Sequence, residues 1–118
     1  MAQPTFPNIF GTGATRLASG ASAPSAGLFI PDSALQSAQL NTPTTATAQE
    51  HLVAVILLAR TFLTETLFNA DTDVNVYAAN GFSSLSTRGT NNTPVRIDQI
   101  TFNLSKPDTS ATIDPDDY

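Results

Sequence analysis

At 118 residues and 12.4 kDa the chain has room for one small domain, and its composition is lopsided, with 41% hydrophobic but only 13% charged residues. Five Lys plus Arg against ten Asp plus Glu give a net charge of −5 and a pI near 4.3, which weighs against a surface built to neutralise nucleic-acid phosphates. With no cysteine and a single histidine, His51, the composition excludes disulfides, thiolate metal sites, a Cys nucleophile and a His-His metal pair.

The charges are unevenly placed. Up to Gln49 the only charged residues are Arg16 and Asp32, which cancel; Glu50 to Lys106 is nearly balanced; Pro107 to Tyr118 holds Asp108, Asp114, Asp116 and Asp117 and no base. The first fifteen residues carry no Lys or Arg and are broken by Pro4, Pro7, Gly11 and Gly13, so no secretory signal is expected. The longest apolar run, Leu52 to Ala59, falls far short of the roughly 20 residues that span a bilayer, and no membrane partner is expected.

In chain order, residues 1–46 hold five of the eight prolines and four of the six glycines, with Ala, Ser and Thr between them. Large apolar residues occur there as islands: Phe6, Ile9 and Phe10, then Leu28, Phe29 and Ile30, then Leu35 and Leu40. The pattern predicts an extended arm that drops anchors into pockets elsewhere, the anchors being Phe6, Ile9, Phe10, Leu28, Phe29 and Ile30; a plain flexible linker is the alternative. Within it, Pro31 to Leu40 predicts a short helix that needs docking to persist.

A compact domain is expected over 47–106. Thr47 and Glu50 have capping-box spacing. Leu52, Val55, Ile56, Ala59, Phe62, Leu63, Thr66 and Leu67 then recur at helical spacing, without Gly or Pro, predicting one helix that ends near Asn69. The β-branched Val53, Val55, Ile56, Thr61, Thr64 and Thr66 keep an all-β alternative open. The breadth of the apolar pattern implies burial of the helix on two faces, against its own sheet and against another subunit or the arm. Asp71 to Tyr77 alternates with period two, Asn80-Gly81 is a hairpin signal, and Phe82 to Thr87 would return as the partner strand. After a loop at Gly89 to Pro94, Val95 to Leu104 reads as a strand whose apolar face switches between Ile97 and Ile100. That switch requires a bulge near Asp98 and Gln99, or cover on both sides. The expected class is α+β, one amphipathic helix on a small antiparallel sheet preceded by the arm, with an acidic tail over 107–118 that is solvated or tucks Ile113 and Tyr118 onto a neighbour.

Signals for chemistry are fragmentary. Asp71, Asp73 and Asn75 match half of a calcium loop, but Val76 stands where Gly is needed and Phe82 where the closing Glu belongs. His51 beside Glu50 reads as a first-turn surface histidine, because adjacent helical residues do not face each other. No Gly-x-Ser-x-Gly elbow accompanies it, Gly11-Thr12-Gly13 is a fragment of a phosphate loop, and no spacing among the core carboxylates selects a catalytic pair. Asn91 and Asn103 head glycosylation sequons, which carry little meaning without a secretory route. No enzymatic activity and no cofactor are expected.

An Ala/Thr/Ser/Pro/Gly-rich arm on a small, Cys-free domain resembles, in composition alone, the small virion proteins of tailed phages: head decoration or cement proteins, and small tail, connector or baseplate proteins. The resemblance implies a virion component, present in the host cytoplasm before assembly, whose partners are copies of itself and other virion structural proteins. The alternative from another class is a module that binds a carbohydrate or a protein through loops such as Ser83 to Pro94.

Overall fold

A computed structural model describes residues 3–108 and 112–118. The class is α+β. Contacts divide the chain into two compact units, Met1–Leu58 and Ala59–Tyr118.

In the first unit, α1 (Phe6–Phe10) opens with a capping box in which Asn8 N–H donates to Thr5 Oγ1 at 3.3 Å and Thr5 N–H to Asn8 Oδ1 at 2.9 Å, and it stops at Gly11, whose φ of 103° suits glycine. The island Phe6, Ile9 and Phe10 is thus helical, and the i, i+4 spacing stacks the rings of Phe6 and Phe10 with centroids 6.3 Å apart. Helix α2 (Asp32–Ser37) falls inside the segment expected to be helical and closes in a Schellman motif: Leu40 N–H donates to Leu35 O at 3.1 Å and Gln39 N–H to Gln36 O at 2.9 Å. The motif needs a left-handed residue, and Gln39 takes it with φ 72°.

Thr47 and Glu50 form the expected box, Glu50 N–H donating to Thr47 Oγ1 at 3.2 Å and Thr47 N–H to Glu50 Oε1 at 3.3 Å. Helix α3 (Ala48–Phe62) follows and crosses the division between the units. Its buried line is narrow, Ala48, His51 and Ala54, while Leu52, Val53 and Phe62 are exposed. Among the described residues the buried hydrophobic set is Leu35, Ala48 and Ala54, so Leu35 is its one large side chain. A core this thin agrees with the surface-to-volume limit on small domains.

The expected single helix to Asn69 is two. Leu63 and Thr64 interrupt it, Thr64 Oγ1 accepts from Leu67 N–H at 3.2 Å, and α4 runs over Glu65–Ala70. The break frees the Leu63 carbonyl, which takes the Ala78 N–H at 2.9 Å. Ala78 lies in β1 (Val76–Asn80), and it is α4 rather than α3 that lies on this strand, with Phe68 and Tyr77 rings 4.8 Å apart.

The strands also pair differently from expectation. β1 pairs with β4 (Ile100–Leu104), and β2 (Ser84–Arg88) with β3 (Thr93–Ile97), all antiparallel, as two two-stranded sheets rather than one of three strands. Asn80-Gly81 does not turn the chain because neither residue adopts the positive φ that a type I′ turn requires. The turn sits instead between Gly89 (φ 78°) and Asn92 (φ 51°), and Thr93-Pro94 belong to β3. Val76 to Leu104 is therefore one long hairpin in two segments.

At the joint Gly81–Ser83 face Asp98 and Gln99, so the ladder is bulged opposite the switch of apolar face, with the extra residue on the first arm and not in the expected strand over 95–104. Gln99 fills it: its backbone oxygen accepts from Gly81 N–H at 2.7 Å and its Oε1 from Phe82 N–H at 3.2 Å. A Cβ on residue 81 would lie 2.6 Å from Gln99 Cγ, so any larger residue there would displace the Gln99 side chain. Beside it, Ser83 Oγ and Arg96 Nε both donate to Asp98 Oδ1, at 2.8 and 2.7 Å.

These bonds, Ser83 first and Arg96 second, hold the Asp98 carboxyl below its ordinary pKa of 3.8. Because the folded value is the lower one, the contribution of Asp98 to stability is fully present above the ordinary value and is lost as the pH falls through the lowered one. Carboxyl NMR titration should place Asp98 below ordinary aspartates and find it raised in Ser83→Ala. Unchanged titration in that variant would refute the assignment.

Candidate functional site

The six arm anchors separate into two groups. Phe6 and Ile9 are half-buried within the first unit, and Phe10 is partly exposed beside Phe6. Phe6 sets its ring edge-on to His51 with centroids 4.8 Å apart, so this island serves the chain's own core. The second island differs. Leu28 is 90% and Phe29 72% exposed on a stretch without regular structure, while Ile30 is half-buried where the chain enters α2.

His51 corrects the expectation of a surface histidine, for it is only 5% exposed. Its Nδ1 faces Thr47 O at 2.8 Å, and its Nε2 lies 2.8 Å from Arg16 Nη1. A carbonyl only accepts and a guanidinium only donates, so the imidazole is the neutral tautomer with its proton on Nδ1. Both ring nitrogens are thereby engaged by the chain's own groups.

Arg16 also donates through Nη2 to both carboxylate oxygens of Asp32, each at 2.9 Å. The two charges of the arm are thus partners, joining residue 16, the start of α2 and the first turn of α3. Their opposite sign in an otherwise neutral stretch was the available signal, but spacing did not reveal that His51 completes the group.

Each unit carries a surface hollow. An open groove of about 380 Å³ between the end of α2 and α3 is lined by the apolar Ala38, Leu40, Val53, Ala54 and Leu57 and by the polar Gln39, Gln49 and Glu50. On the hairpin, a shallow recess of about 250 Å³ is lined by Ser83, Ser84, Leu85 and Arg96; Phe82 nearby is 90% and Leu85 85% exposed.

The half calcium loop is an Asx turn, Asp73 N–H donating to Asp71 Oδ1 at 2.9 Å, and no group of acidic or histidine side chains suited to a metal occurs among the described residues. Lys106 fastens the acidic end: its ammonium donates to Thr112 O, sits 3.4 Å from Asp117 Oδ2 and lies 6.0 Å from the Tyr118 ring centre, whereas Ile113 is exposed. No helix among the described residues is long and apolar enough to cross a membrane. No protein-family profile, curated protein or solved structure matches the chain.

Proposed function

We propose that the chain is a non-enzymatic structural subunit of a phage particle, one that stabilises a capsid as decoration or cement proteins do, through contacts of its arm with neighbouring subunits. The observation that carries this reading is the pair Leu28 and Phe29: two large apolar side chains held out on an uncharged stretch of backbone. Isolated exposed apolar residues are ordinary, but two adjacent ones on an arm whose other island is spent on its own core are anchors with nothing to hold. The thin core supports the same reading, since a subunit stabilised by neighbours needs little core of its own. Its place would be the virion, reached from the host cytoplasm; a tail, connector or baseplate position uses the same contacts.

The test is incorporation. Full-length chain should co-sediment with purified particles in stoichiometric amount, and Phe29→Asp should lose most of the bound fraction while its circular dichroism stays unchanged. Equal incorporation of Leu28→Asp and Phe29→Asp would overturn the reading. A second reading, a carbohydrate- or protein-binding module, is favoured by the hairpin recess with Phe82 and Leu85 beside it, and would show as ligand binding lost in Leu85→Asp.

A further inference from the structure

We infer that the groove between α2 and α3 receives the Leu28–Phe29 segment of a second copy of this chain. The inference rests on the assembly reading above and names the partner of that same arm.

Its chemistry is complementary on both sides. Five of the groove's lining residues, Ala38, Leu40, Val53, Ala54 and Leu57, are apolar; Gln39 and Gln49 are polar but uncharged, and the one charged residue, Glu50, is already engaged by the N–H and hydroxyl of Thr47. Such a receptor asks for an apolar, uncharged occupant rather than a basic one. Residues 17–31 carry no charged side chain, and Leu28 and Phe29 are its two most exposed large apolar groups.

The donor is also presented for insertion. Asp32 is fixed by Arg16, Ile30 is half-buried, and Gly27 on the other side stands in open space, so the two side chains project from a backbone secured at one end. Pre-ordering of this kind lowers the entropy cost of docking. Within a single chain the anchors stay exposed while the groove stays open, so one copy leaves both halves of the contact unfilled. Donor and receptor are different surfaces of the subunit. Their union is head-to-tail, which closes into a ring or runs on along a lattice.

The chain has no cysteine, so paired single-cysteine variants report the contact directly. Full-length Phe29→Cys and Val53→Cys, purified separately and mixed under oxidising conditions, should form a mixed disulfide dimer well in excess of that between Phe29→Cys and Ser86→Cys, because a disulfide needs Cα atoms within about 7 Å. In sedimentation, Phe29→Asp and Val53→Asp should each be monomeric, and their mixture should recover dimers but nothing larger, each supplying the half the other lacks. Val53 is already 53% exposed, so its substitution leaves folding intact.

The groove assignment is overturned if the mixed disulfide does not exceed the control, or if a chain carrying both cysteines links internally instead. Assembly lost in Phe29→Asp but kept in Val53→Asp overturns the groove while sparing the arm as the assembly element. A wild-type chain that stays monomeric and enters particles regardless of Phe29→Asp overturns both.

Discussion

Arg16→Ala should lower the stability of the first unit by about 2–3 kcal/mol. Most of this comes from His51, whose buried Nε2 would lose its donor; an unsatisfied buried acceptor costs about 1–3 kcal/mol. The ion pair with Asp32 adds at most about 1 kcal/mol, because the Asp32 side chain is 48% exposed and solvent screens it. At roughly 4–8 °C per kcal/mol for a unit of this size, the melting temperature followed by circular dichroism should fall visibly. Asp32→Asn keeps the bond between Arg16 and His51 and should cost under about 1 kcal/mol. Equal melting of Arg16→Ala and wild type would show that the cluster is ornamental.

Leu35→Ala should be the more damaging change. The side chain is 3% exposed and is the only large hydrophobic one among the buried hydrophobic residues described. Leu-to-Ala truncations at such sites cost about 2–5 kcal/mol, from lost transfer energy and the cavity left behind. Small proteins hold only about 5–15 kcal/mol in total, so denaturant midpoints should shift strongly at unchanged slope. A cost below about 1 kcal/mol would mean that this unit has no working core.

Local signals were the readable ones. The Thr47–Glu50 box, the short helix after Pro31 and the change of apolar parity between Ile97 and Ile100 each depend on residues within a few positions, and each appears in the fold. The failures are long-range. Thr64-Glu65-Thr66-Leu67 suits a continuing helix as well as a new cap, and the break is secured by a bond from Ala78 to Leu63. Asn80-Gly81 resembles a hairpin turn, yet Asn80 accepts from Arg60 at 3.2 Å and Gly81 from its backbone donates to Gln99, which keeps the chain running straight on. His51 looked superficial in a first turn because its cover comes from Phe6 and Arg16, far away in sequence. Among the six arm residues, composition did not show which island the molecule would use internally; that depended on the reach of Phe6 to His51.

The bulge at Gly81–Ser83 has a bearing on aggregation. Without its extra residue, Val76–Arg88 and Thr93–Leu104 could zip into one uninterrupted ladder with two long open edges, the template on which strands of other chains add indefinitely. The misfit cuts that ladder into five-residue pieces, and Leu63 blocks one edge at Ala78. The hairpin is thereby guarded against fibre growth through its strand edges.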